Sequence, residues 1–183
     1  MSLLSRRLLL AAFSLACVAA CAPPPSYSAM VAGAPPGQAP APAYRNAVTV
    51  GSITIGRDVG TPWTSAVDPD QVRQALVQTL AAAGLGQPAT DRSRDGRFRL
   101  DGQLLTLSRP YAGFAMTVTA AIAWRLTDVT NGAVVYDRTL QGLGTATLDD
   151  AVDNSNRLRI ADQRAIRANL QQLVQDLSAL PPR

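Results

Sequence analysis

The 183-residue chain contains no histidine, no lysine and no glutamate: its 17 basic residues are all arginine and its 13 acidic residues all aspartate. Its only cysteines are Cys17 and Cys21, and aromatic residues make up 5% of the chain. The missing imidazole excludes Ser-His-Asp and Cys-His nucleophile pairs and the common zinc ligand sets. Two cysteines near the N-terminus offer no CxxC redox pair and no disulfide framework. Carboxylate chemistry survives this filter, yet the one acidic cluster is Asp149, Asp150 and Asp153. Adjacent aspartates in a polar loop suit solvation better than the separated acid pair of a glycosidase. With Asn154 and Asn156 they only faintly suggest a calcium loop, which also wants a bidentate glutamate. The expectation is therefore a non-enzymatic protein with no catalytic residue, cofactor or metal. Net charge is +4, and +2 once Arg6 and Arg7 are set aside. With few aromatics for stacking, that near-neutral balance gives no case for nucleic-acid binding.

What is present first is an export segment. Arg6 and Arg7 form a positive start, and residues 8–20 are apolar and end in small residues. This is a signal pattern, too short for the roughly 20 apolar residues that span a bilayer. The run Val18-Ala19-Ala20-Cys21 resembles the lipobox of bacterial lipoprotein precursors. That resemblance implies removal of residues 1–20, diacylation of the Cys21 sulfur, and a mature chain with no free thiol. An ordinary signal cut near Ala20 is the alternative. Ser5-Arg6-Arg7-Leu8-Leu9-Leu10 also resembles a twin-arginine signal, with ordinary secretion the favoured route. Ala22, rather than aspartate, follows the cysteine, which by the same resemblance implies the outer membrane, facing the periplasm.

Residues 21–43 are rich in proline and alanine and read as a lipid-anchored linker. At about 3.1 Å per residue such a spacer holds the domain up to about 60 Å from its anchor. Folded material is expected from Tyr44, as one domain over 44–183. Val48–Ile55 reads as a strand whose facing switches at Gly51, as either a bulge or a strand buried on both faces requires. Pro62 and Trp63 follow in a loop, with Trp63 either a docking aromatic or a lid on the core. Asp68, Pro69 and Gln71 predict the start of a helix with a capping box, and Val67 with Val72 a hydrophobic staple. Gly84 ends it, with Leu85 folding back on Leu80. A second strand places Phe98, Leu100 and Leu104 on one face. A third alternates from Phe114 through Met116, Val118, Ala120, Ile122, Trp124 and Leu126, leaving alanine and threonine on its other face. A left-handed Gly132 in a three-residue loop pairs Leu126 with Tyr136 and Ile122 with Leu140. Gly142 and Gly144 are expected to weaken or bend the fourth strand. A last helix, after a polar loop through Asn156, carries Ile166, Leu170, Leu173, Val174, Leu177 and Leu180. The sum is an α+β two-layer sandwich, β-α-β-β-β-α, with two helices on a mostly antiparallel four-stranded sheet. The place of the first strand in that sheet is left open.

The lipidated cysteine, the linker and this element order resemble small accessory lipoproteins of the Gram-negative envelope. These are the lipoprotein partner of the lipopolysaccharide-assembly barrel and the auxiliary lipoproteins of ABC-type lipid transporters. The resemblance runs over Val48–Ile55, Val72–Leu85, Phe98–Leu107, Met116–Asp128 with Trp124-Arg125-Leu126, and Ala161–Leu180. It implies a palmitate-bearing accessory subunit docked to an envelope transport or assembly machine. A lipid- or glycolipid-binding module is the alternative. The second-to-third-strand connection, Ser108 to Gly113, is too short for the long loop of the lipopolysaccharide-assembly partner. Candidate contacts for an anionic lipid or an acidic partner are Arg92, Arg94, Arg97 and Arg99, and Arg157, Arg159, Arg164 and Arg167. The second group opposes the dipole at its helix start. A solvated face is the alternative for both groups, and the small Ala/Thr face of the third strand is read either as a docking surface or as plain solvent surface.

Overall fold

A computed structural model describes residues 26–56, 67–86, 96–110 and 113–182. The export segment, Cys21, the Pro62-Trp63 loop, Arg92 and Arg94 lie outside the described residues. The elements are α1 (Tyr27–Met30), a 3₁₀ turn at Pro42–Tyr44, β1 (Val48–Ile55), α2 (Pro69–Ala82), β2 (Phe98–Ser108), β3 (Met116–Asp128), β4 (Val134–Ala146) and α3 (Asn154–Ser178). The expected β-α-β-β-β-α order is present, in one mixed sheet ordered β1-β2-β3-β4. β1, whose place the sequence left open, is an edge strand parallel to β2, joined to it through α2; β2, β3 and β4 are antiparallel neighbours.

Local chemistry accounts for the helix ends. Asp68 caps α2 by accepting from the Asp70 amide at 2.9 Å. The expected capping box does not form, because Gln71 Oε1 accepts instead from the Tyr27 amide at 3.1 Å. The C-terminus is as expected. Gly84 has a φ of +69°, and the Gly84 and Leu85 amides return to the Ala81 and Leu80 carbonyls at 3.1 and 2.9 Å. Leu80 and Leu85 are both buried beneath this turn. Asp153 caps α3 through the Asn156 amide, so α3 begins at Asn154, inside the stretch expected as loop.

The core lies between the sheet and the helices. Phe98, Leu100, Leu104, Val118, Ile122, Trp124 and Leu126 meet Leu76, Leu80, Ile166, Leu170 and Leu173 there. The hairpin register is the expected one, Leu126 with Tyr136 and Ile122 with Leu140. The loop is one residue longer than expected, with the Asp128 amide bonded to the Ala133 carbonyl, and a shift after Leu126 absorbs the difference. Phe114 departs from expectation. It precedes β3 rather than opening its core face, and is 83% exposed.

Two features were not legible in composition. Residues 26–43 are not a free spacer: Met30 and Ala32 are buried in the core, and the Ala32 amide donates to Thr79 Oγ1 at 3.0 Å. Proline-rich composition argues against self-ordering, but a groove already formed by α2 and α3 supplies the buried area that this stretch lacks by itself. Second, Gly142 and Gly144 do not weaken β4 but allow α3 to lie directly on it. A Cβ at Gly142 would sit 2.0 Å from the Ala165 carbonyl oxygen, and one at Gly144 would sit 2.2 Å from that of Ala161.

Candidate functional site

Both main helices cover one face of the sheet. The opposite face carries Arg99, Asp101 and Gln103 from β2, Thr117, Thr119, Ala121, Ala123 and Arg125 from β3, and Asp137, Thr139, Gln141, Leu143 and Thr145 from β4. Strict alternation along three strands puts small and polar side chains there, as the Ala/Thr pattern foretold. None of the described helices packs on it.

A shallow pocket of about 330 Å³ opens on this face, with Ala123 and Gly102 in its floor and Ser52, Asp101, Arg125 and Asp137 around it. Arg125 donates to Asp137 Oδ2 through Nε at 3.0 Å and Nη2 at 2.8 Å, in an exposed cross-strand pair. Asp101 Oδ1 accepts from the Ser52 amide at 2.7 Å, the Ser52 hydroxyl at 2.9 Å and Arg99 Nε at 3.2 Å. Burial opposes the Asp101 charge, but the Ser52 bonds and then Arg99 outweigh it, so its pKa lies below the ordinary 3.8. This carboxylate approaches β1 at the bulge between Val50 and Ile53, which decides between the two readings of the switch at Gly51. Gly51 makes the approach possible, since a Cβ there would lie 2.2 Å from Asp101 Oδ1. Arg73 of α2 reaches the outer edge of the same bulge, donating to the carbonyls of Val50 and Gly51. The pocket thus holds fixed donors and acceptors whose charges are already matched. A surface of that kind suits shape-matched polar contact better than capture of a free ion.

The described members of the two predicted arginine groups have separate partners. Arg97 donates to Asp128 through Nε at 3.0 Å and Nη2 at 2.8 Å, with its guanidinium 5.1 Å from the Phe98 ring centroid. Arg99 faces Asp101 on the open face. Arg157 is buried and donates to the carbonyls of Ala151, Val152 and Gly113 and to Asn154 Oδ1. Those bonds answer the dipole problem, because the guanidinium at this helix start is surrounded by carbonyl oxygens. Arg159 donates to Asn156 at 3.4 Å, and Arg164 makes a two-pronged contact with Asp150 at 2.8 and 2.6 Å. Arg167 is exposed on α3. Asp150 and Asp153 are taken by Arg164 and by the helix cap, and no group of three metal-ligating side chains occurs among the described residues.

Sequence reasoning missed two polar anchors under the site. Asn169, fully buried, accepts from the Trp124 indole N–H at 2.8 Å and donates to the Leu140 and Ala120 carbonyls at 2.8 and 3.3 Å. An asparagine in a leucine stripe was its only signal. Tyr136 donates to Asp176 Oδ2 at 2.8 Å, and burial, then that bond, raise its pKa well above 10.0.

Two carboxylates predict an acid limb. Hydrogen bonds from the Thr130 hydroxyl and then Arg97 hold Asp128 at about 2, and those from Arg164 and then the Thr147 amide hold Asp150 at about 2, against an ordinary 3.8. A lowered folded value means stabilisation that is complete above the unfolded value and is lost as pH falls through the folded one. Melting temperature is therefore expected to drop as pH goes from about 4 to about 2. In the Asp128→Asn, Asp150→Asn double variant that drop should shrink, and an unchanged slope would contradict the assignment.

No described helix is long and apolar enough to cross a membrane. No protein-family profile matches the chain, and no curated protein does. Among solved structures the chain is similar to PelC, a dodecamer, from Paraburkholderia phytofirmans, at 21% identity over 78% of this chain and 95% of that one, TM-score 0.48. It is similar to a minor lipoprotein from Acinetobacter baumannii, at 14% identity over 70% and 92% of the two chains, TM-score 0.44. A third similar structure is the protein CT253 from Chlamydia trachomatis, at 10% identity over 74% and 94%, TM-score 0.49.

Proposed function

We propose that the chain is a non-enzymatic accessory lipoprotein, anchored through Cys21 to the periplasmic face of the outer membrane, that docks to an envelope assembly or lipid or lipopolysaccharide transport machine. The observation that carries the docking half is the open sheet face: a broad surface of small side chains around a pocket whose charges are internally paired. Such a surface can be covered by a partner without stranding an unpaired charge, the main penalty in burying a polar face. The anchor half rests on Val18-Ala19-Ala20-Cys21 following a short apolar run. Lipid carriage between the layers is less well supported, because α3 rests backbone-to-backbone on Gly142 and Gly144 in the space an acyl chain would need.

The test is purification of the tagged chain from detergent-solubilised membranes of its own host. The wild type should bring down a stoichiometric membrane partner. Ala123→Arg, which puts a charge in the pocket floor, should weaken that recovery by at least about tenfold. Recovery of the chain alone would count against docking. Cys21→Ser should release the protein from the membrane fraction, and its retention there would count against the anchor.

A further inference from the structure

The end of the sheet where β2 leads into β3 and β4 leads into α3 exposes three large apolar side chains: Phe114 at 83%, Val152 at 87% and Leu148 at 44%. They are close together for an identifiable reason. The buried Arg157 guanidinium donates to the Ala151 and Val152 carbonyls at 3.0 and 2.6 Å from Nη1 and to the Gly113 carbonyl at 3.3 Å from Nη2. One side chain therefore fastens the loop before β3 to the loop after β4, and holds the backbone at Gly113, next to Phe114, near that at Val152. Below them Met116 pairs with Ala146, so Leu148 emerges two residues beyond the same ladder. Solvating these groups is unfavourable, and a held cluster of them marks a contact surface.

The path of the N-terminal chain identifies what covers it. Leu85, just past α2, bonds to Val48 at the start of β1, while Arg73, in the first half of α2, reaches Val50 and Gly51 farther along. α2 thus runs antiparallel to β1, and its N-terminus points toward the strand end at Ile55. That is the end where β2 passes Leu104 toward Ser108 and the Phe114 loop. Tyr27 bonds to Gln71 in the first turn of α2 and Ala32 to Thr79 near its last, so the chain enters from that same end. Only five peptide units separate Ser26 from Cys21, which limits their distance to about 18 Å however the intervening residues are arranged.

We infer that the Phe114–Leu148–Val152 end is a membrane-apposed surface whose apolar side chains enter the lipid headgroup region beside the anchor and hold the domain in one orientation. This rests on the anchor proposed at Cys21. The sheet face that carries the pocket then stands roughly along the membrane normal and is presented sideways to membrane-embedded partners. The contact is apolar rather than electrostatic. Arg109 pairs with Asp162 and Arg164 with Asp150, while Arg157 and Arg159, bonded to neutral oxygens, are offset by Asp149 and Asp153, so these groups carry no net charge together. Insertion should therefore be shallow, about 5–10 Å, and should not require anionic lipid.

Single-cysteine labelling of the full lipidated protein tests this. With Cys17 removed and the Cys21 sulfur acylated, Phe114→Cys, Val152→Cys or Val134→Cys supplies the only free thiol for an environment-sensitive fluorophore. Val134 lies at the opposite end of the sheet and is 49% exposed. The proteins are reconstituted in phosphatidylcholine vesicles, with and without phosphatidylglycerol, and carry lipids with a quencher near the headgroup. Flotation reads the anchor, and quenching reads the orientation. Quenching at 114 and 152 is expected to exceed that at 134 by about threefold, equally in both lipid mixtures. Flotation with equal quenching at all three sites overturns the inference and leaves the anchor standing, as does protection at 114 and 152 without quenching, which a protein partner or a second copy would give. A strict need for phosphatidylglycerol overturns the apolar mode. Failure to float overturns the anchor and the inference together.

Discussion

Replacing Gly144 with valine is expected to cost about 3 kcal/mol or more, a large part of the 5–15 kcal/mol typical of a domain this size. The reason is geometric. A Cβ at Gly144 would lie 2.2 Å from the Ala161 carbonyl oxygen and 2.3 Å from the Ala165 amide nitrogen, and one at Gly142 would lie 2.0 Å from the Ala165 oxygen and 2.5 Å from the Asn169 nitrogen. These are backbone atoms, which no rotamer change can move aside. The helix must lift off the strand, and that loosens Ile166, Leu170 and Leu173 from the core and pulls Asn169 from the Trp124 indole. A buried indole N–H left without an acceptor adds a further penalty of about 1–3 kcal/mol. The neighbouring Thr145→Val, on the open face, should shift stability by less than about 0.5 kcal/mol. Urea titration of the Cys21→Ser form compares these variants. A Gly144→Ala protein with an unchanged midpoint would sink the close-contact account, since alanine already supplies the offending atom.

Loss of the Arg109–Asp162 pair is the second large effect expected. Arg109 donates to Asp162 through Nε at 2.9 Å and Nη2 at 2.8 Å, with side-chain exposures of 7% and 2%. Both charges have left water, so removing one leaves the other buried without its counter-charge. Asp162→Ala should therefore cost about 3–5 kcal/mol, far more than an exposed pair such as Arg125–Asp137, worth about 0–1 kcal/mol. The pair ties the end of β2 to the first half of α3, so its loss should also loosen the loops that hold Phe114 and Val152. A double-mutant cycle with Arg109→Met is the appropriate measurement. The two losses should fall short of additivity by at least about 1 kcal/mol, and full additivity would mean that the pair contributes little.

Elements whose pattern repeats locally were readable from the chain. The alternation from Met116 to Leu126, the Gly84 turn and the register of Leu126 against Tyr136 each depend on neighbours close in sequence, where side-chain direction and φ decide the outcome. The open face was readable for the same reason, as the other half of the same alternation. The pocket on it was not. It needs the β1 bulge beside Asp101, and that contact joins residues about fifty positions apart. The partners of the arginines were hidden for the same reason. Arg97, Arg157 and Arg164 look like free basic clusters until long-range folding brings Asp128, the Gly113 carbonyl and Asp150 to them.

By itself the sequence determined the layers. Periodicities of 2 and 3.6 dictate which faces turn inward. It also supplied the expectation of an export segment ending at Cys21, since such signals are linear. Only the tertiary structure decided that β1 lies parallel at the sheet edge, that Gly142 and Gly144 are seats for a helix, and that the proline-rich stretch from Ser26 belongs to the domain. Each of these depends on surfaces that exist only after distant segments have met. The last shortens the stretch between Cys21 and the first described residue of the domain from a reach of about 60 Å to at most about 18 Å.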